Sequence, residues 1–229
     1  MYILMFKRFL GISLIGILFI QMNVFAFQET IPTENEIIIK RLVPELFKDD
    51  SLTVSRGVCI MSLMRVLGVD RAAADYYANA NYFLPVFLDI DFEDVNAGYI
   101  IVSKFGGVSV GEPKNETNPI TNFCSERNVT VRECLAFMLR CLKDQKQVEW
   151  GNVMRDSVQI GLLKTEELNE LSADDALLKR DFVILLSRML NMNRYLYWPA
   201  EEMQNGRSKS MQTDTSKSVR YFDRFAEEF

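Results

Sequence analysis

Apolar residues in this chain recur mostly at i, i+3, i+4 and i+7. That spacing gathers them on one face of an α-helix, and few segments alternate with the period of two of a half-buried strand. The pattern predicts a helix over 36–48, with Ile37, Ile38, Leu42, Val43, Leu46 and Phe47 on its apolar side. A second covers 55–67 (Val58, Cys59, Met61, Leu63, Met64, Leu67) and a third 95–105 (Ala97, Tyr99, Ile100, Ile101). A fourth covers 130–142 (Cys134, Leu135, Phe137, Met138, Leu142), with further helices over 150–163 and 178–190 and a shorter piece over 72–79. Thr130 and Glu133 have the spacing of a capping box, and Gly106, Gly107 and Gly161 stand where glycines end helices. The expected class is all-α, with short helices and long loops.

The two ends differ from this body. Lys7 and Arg8 precede an apolar run over 9–20, and Val24-Phe25-Ala26 follows. This is the order of a secretory signal peptide. The run is about a dozen residues, short of the roughly twenty that span a bilayer. Residues 1–26 are therefore expected to be cleaved, leaving no transmembrane anchor; an uncleaved N-terminal anchor is the other reading. Residues 27–194 form the expected domain. Residues 195–220 are dominated by polar side chains, and the stretch from Asn205 to Ser218 has too few apolar ones to offset its ordering entropy, so 195–220 is read as a polar linker. Tyr221, Phe222, Phe225 and Phe229 give 221–229 the pattern of a short amphipathic helix, with a frayed tail as the alternative.

Composition narrows the chemistry. The 229 residues allow one or two domains, and 48% apolar content suffices for a core. With 26 basic against 31 acidic residues the formal charge is −5, which argues against a nucleic-acid partner. Histidine is absent, which removes every Ser-His, Cys-His and His-metal arrangement. The four cysteines, 59, 124, 134 and 141, include no C-x-x-C pair, so a zinc ribbon is disfavoured. Cys134 and Cys141 lie about 10 Å apart along one helix axis and cannot bridge. Cys59 and Cys134 fall on apolar faces. They read best as buried free thiols acting as small hydrophobes, with a bridge between them left open. Asp89, Asp91, Glu93 and Asp94 form an acidic cluster. It reads as a solvated loop before a calcium site, since it lacks the glycine and glutamate of an EF-hand. The same carboxylates can be read as a glycosidase pair, but nothing in the sequence places two of them across a cleft.

Three helix starts repeat. Val54-Ser55-Arg56-Gly57-Val58-Cys59 runs on to Leu63-Met64-Arg65-Val66-Leu67-Gly68. Val129-Thr130-Val131-Arg132-Glu133-Cys134 runs on to Met138-Leu139-Arg140-Cys141-Leu142. Leu177-Leu178-Lys179-Arg180-Asp181-Phe182 runs on to Leu186-Ser187-Arg188-Met189-Leu190. In this frame the chain resembles the S-layer homology module of bacterial surface proteins, whose helix opens hydrophobic-Thr-Arg-Ala-Glu-Phe and ends Leu-x-Arg-Ala-Leu-Gly. Phe87-Leu88-Asp89 resembles the module's Phe-x-Asp. Ala97-Gly98-Tyr99-Ile100 with Gly107-Val108 and Gly111, and later Trp150 with Gly161-Leu162-Leu163, resemble its second helix and following turn. The resemblance covers roughly 36–192. The segment 36–48 would be a leading second helix, so the array looks circularly shifted.

The resemblance implies a pseudo-threefold helical bundle whose grooves hold secondary cell-wall polymers, often with pyruvylated sugars. A ketal carboxylate favours a fixed cation beside a helix N-terminus. The polysaccharide-binding residues it implies are Arg56, Lys179, Arg132, Thr130 and Gly111. For Arg56 and Lys179 the other reading is a solvated helix-start charge, or an ion pair to a carboxylate in the next repeat. The frame has departures. The cation position holds Val131 in the second repeat, and Arg132, one residue on, points about 100° away. The acidic position reads Val58, Glu133 and Asp181, and Gly111-Glu112-Pro113 lacks the family's Asp-Gly step. Arg65, Arg140 and Arg188 read as structural contacts at helix C-termini. Tyr99 and Trp150 read as core aromatics. The functional expectation is a secreted protein of the bacterial cell surface, held non-covalently on wall polysaccharide, with no catalysis, cofactor or metal. A degenerate module binding a protein partner comes second, and a hydrolase using the Asp89–Asp94 carboxylates third.

Overall fold

The computed structural model describes residues 30–48, 50–71, 74–75, 86–91, 93–111, 121–142 and 148–192. The chain divides into two units, Met1–Thr30 and Ile31–Phe229, and all that follows concerns the second. The leader, the polar linker and the C-terminal segment lie outside the described residues, as does most of the piece over 72–79.

The described part is helical, with isolated β-bridges but no strand. Helix α1 is Thr33–Leu42. The pattern predicted its continuation to 48, but Pro44 supplies no N–H to the ladder and disfavours helical backbone at Val43, so Pro44–Phe47 forms a separate 3-10 turn. Helix α2 is Arg56–Val66, α3 Ala97–Phe105 and α4 Val131–Cys141. The segment over 150–163 resolves into a 3-10 turn at Trp150–Asn152 and a short α5, Val153–Gln159. A 3-10 turn at Glu166–Asn169, not anticipated from the pattern, precedes α6, Lys179–Leu190.

Local chemistry sets the ends. The Ser55 hydroxyl accepts the Val58 N–H at 3.3 Å. Thr130 and Glu133 form the full capping box: Thr130 Oγ1 accepts the Glu133 N–H and Glu133 Oε2 accepts the Thr130 N–H. Leu178 offers α6 no such side chain. Gly68, Gly107 and Gly161 take φ of 88°, 72° and 84°, left-handed values that favour glycine. The residue after each donates back into the last turn (Val69 to Met64, Val108 to Ser103, Leu162 to Ser157).

The segments leading into α2, α4 and α6 meet in a closed ring of backbone hydrogen bonds. The Val54 N–H donates to Leu177 O (3.1 Å), Leu177 to Val129 O (2.9 Å), and Val129 to Val54 O (2.9 Å). Two residues further out the ring repeats. Arg56 N–H donates to Arg127 O (2.8 Å), Val131 to Asp175 O (3.0 Å) and Lys179 to Leu52 O (2.8 Å). First-turn N–H groups of a helix lack intrahelical partners; here each helix start satisfies its neighbour's. Below the ring, Cys59, Cys134 and Phe182, then Leu63, Met138 and Leu186, are sealed from solvent.

Each long helix carries a second one: α3 packs on α2, α5 on α4, and α1 on α6. The leading helix thus completes the last pair. Buried Asn35 of α1 donates to the Ser187 hydroxyl at 2.8 Å. Arg65, Arg140 and Arg188 bind the ends of these second helices through the carbonyls of Leu42 (2.9 Å), Val108 (3.2 Å) and Leu162 (2.8 Å). Arg65 adds Glu45 at 2.8 Å, and Arg188 adds Glu167 at 2.6 Å. The helix C-terminus is the negative end of the dipole, so cation and carbonyl suit one another.

Candidate functional site

The helix starts around the ring hold the residues the sequence singled out, so they form the candidate site. The first junction, from α2 to α4, is an ion cluster. Arg56 is only 2% exposed. Its Nη1 pairs with Glu133 Oε1, its Nε donates to Phe123 O at 2.9 Å, and its Nη2 donates to Val110 O at 3.3 Å. The guanidinium lies over the rings of Phe123 and Phe137, 4.8 and 5.2 Å from their centroids. Glu133 also takes Arg127 Nη2 at 2.6 Å and completes the Thr130 capping box. Burial alone would push the Glu133 carboxyl up. The hydrogen bonds from Arg127 and the Thr130 N–H, with the charges of Arg56 and Arg127, outweigh it and hold the group below its ordinary value. Of the roles the sequence allowed Arg56, the structure displays the ion pair to a carboxylate of the next helix start. The guanidinium faces the interior.

By position in the repeated frame, Val131 and Asp181 correspond to Arg56 and Glu133 at the second junction, and Lys179 and Val58 at the third. Asp181 is 3% exposed and its Oδ1 has no hydrogen-bond partner. Burial pushes its carboxyl up to about 6, with Glu167 adding to the rise and Arg180 opposing it. Lys179 is half-buried at the start of α6.

Arg132 is half-buried and faces outward. It reaches Asp174 at 3.4 Å and lies over Trp150, 5.5 Å from the ring centroid. Trp150 is 50% exposed, whereas the sequence had placed it in the core; its 3-10 turn buries no residue. Tyr99, by contrast, is buried and accepts from Arg65 Nε at 3.1 Å. Thr130 is spent on its cap. Gly111 is buried, and a Cβ there would come within 1.9 Å of Thr121 Oγ1, so close packing demands glycine. Lys179 and Arg132 thus belong to the starts of different helices, while Thr130 and Gly111 lie beside the first junction.

The acidic segment serves the backbone. Asp89 accepts the Phe123 and Cys124 N–H groups, each at 2.7 Å, and so holds Cys124 at a φ of 60°. Asp91 caps the Glu93 N–H and Asp94 that of Asn96. Asp89 thus fixes the loop whose Phe123 carbonyl anchors Arg56. Sequence reasoning missed this link, and it missed Arg127, Glu45 and Glu167. The one available signal was an acid past a second-helix end, three residues beyond Leu42 for Glu45 and eight beyond Gln159 for Glu167.

Among the described residues no three His, Cys, Asp or Glu gather in a metal-holding group, and no helix is long and apolar enough to cross a membrane. No family model, no curated protein and no solved structure matches this chain.

Proposed function

We propose that this is a divergent S-layer-homology-like array with pseudo-threefold packing. Secreted to the bacterial cell surface, it holds secondary cell-wall polysaccharide non-covalently. The observation that supports this reading is the closed ring of three helix starts, with the leading helix α1 completing the last helix pair. A sequence with the module's repeated frame, circularly shifted, is expected to build such a ring. Polymer contact falls to the two cations that are not fully buried. Lys179 and Arg132 meet anionic sugar groups beside helix N-termini, and the exposed face of Trp150 offers a surface for a sugar ring. Arg56 supports the site from within.

The test is sedimentation of residues 27–229 with native cell walls, before and after acid extraction of the secondary polymer. Pelleting that is lost on extraction, and lost again in Lys179→Glu/Arg132→Glu, is the expected result. Retention unchanged in that double variant overturns the assigned residues, and failure to pellet with native walls overturns the reading. A second reading, a module that binds a protein partner, draws on the unequal charges at the three junctions. Wall-independent binding of one purified surface protein, weakened by the same variant, would favour it.

A further inference from the structure

Helices α2 and α4 pack against each other, and each places a cysteine at the same point, four residues after its cap: Cys59 after Ser55, Cys134 after Thr130. The third equivalent position holds Phe182. All three side chains are fully sealed beneath the ring, and the two thiols are unbridged here. The remaining cysteines stand apart from this register. Cys141 lies about 10 Å further along α4, and Cys124 is half-buried in the loop held by Asp89. From this placement we propose that Cys59 and Cys134 form a disulfide when the chain folds under oxidising conditions, tying the first helix start to the second.

In the step, each thiol gives up its proton and the pair gives up two electrons. A small-molecule disulfide accepts them and leaves as two thiols, while one S–S bond forms. Timing follows from burial. The attacking species is a thiolate, and burial, with Cys59 beside it, pushes the Cys134 thiol well up. Oxidation therefore belongs to folding, before the core closes. The bond would close a long loop, which restricts the unfolded chain. This inference is independent of polymer binding.

The test uses the full chain unfolded in urea and refolded in a mixture of oxidised and reduced glutathione, or in dithiothreitol. The expected product of the first arm is lighter by two hydrogens, yields a Cys59–Cys134 cross-linked peptide, leaves Cys124 and Cys141 alkylatable, and unfolds at higher urea than the second. Four alkylatable thiols, glutathione adducts without a cross-link, or a bond to Cys124 or Cys141 would each overturn it. Peptide mapping on the wild-type chain decides the matter whether or not Cys134→Ser folds.

Discussion

The first and second junctions of the ring have the same backbone and opposite electrostatics. At the first, Arg56 and Arg127 meet Glu133, and three bases of support (two guanidinium groups and one backbone N–H) surround one carboxylate. At the second, the corresponding carboxylate, Asp181, is more deeply buried, and valine stands at the cation position. A charge removed from water is tolerated only with compensating partners, and otherwise the group becomes neutral. Glu133 accordingly stays ionised below its ordinary range, and Asp181 holds its proton up to about 6. One ring therefore contains a junction fastened by charge and a junction sensitive to pH.

The largest expected effect breaks the first junction. Arg56→Met removes the buried partner of half-buried Glu133 and leaves that carboxylate with less compensation, and urea unfolding should show a loss of about 3–5 kcal/mol. A loss under about 1 kcal/mol would mean that Arg127 and the Thr130 N–H suffice.

Next comes the second junction. The folded-state value of Asp181 is about 6, against an ordinary 3.8. A raised carboxyl favours the protonated native state, so its contribution is complete below pH about 4 and is lost as pH rises through about 6. Asp181→Asn should therefore be the more stable protein at pH 8, by up to about 3 kcal/mol, with the advantage vanishing below pH 4. Parallel thermal-unfolding curves for the two proteins across that range would contradict the assignment.

A repair sharpens the contrast. Val131→Arg supplies the second junction with the first junction's cation. The Asp181 carboxyl, followed by carbon-detected NMR, should then titrate below its present value, with about 1–2 kcal/mol gained at neutral pH. The smallest effect separates the caps. Thr130→Ala removes half of a reciprocal box and should cost about 1 kcal/mol, while Ser55→Ala, which removes a single long bond, should cost less.

The helices were legible because their periodicity is local, and so were the caps at Thr130, Gly107 and Gly161. Helix 36–48 was overextended through Pro44. Trp150 was assigned to the core because its composition-level preference does not reveal that its short turn lies on the surface. The candidate residues were harder. Arg56 reads in sequence as a helix-start charge; its burial arises because Phe123, Val110 and Glu133, from 54 to 77 positions away, converge on it. Lys179 carries the same motif position but is only half-buried, and no local pattern announces that difference.

By itself, then, the sequence determined which segments are helical, several of the caps that start and stop them, and that three starts share one frame. These follow from side-chain spacing, hydroxyl caps and glycine's access to left-handed backbone, all acting within a few residues. The tertiary structure alone decided which starts are joined, that α1 completes the last pair, and which charges face a partner. Those outcomes depend on the desolvation of groups brought together from distant positions, and burial is a property of the assembled fold.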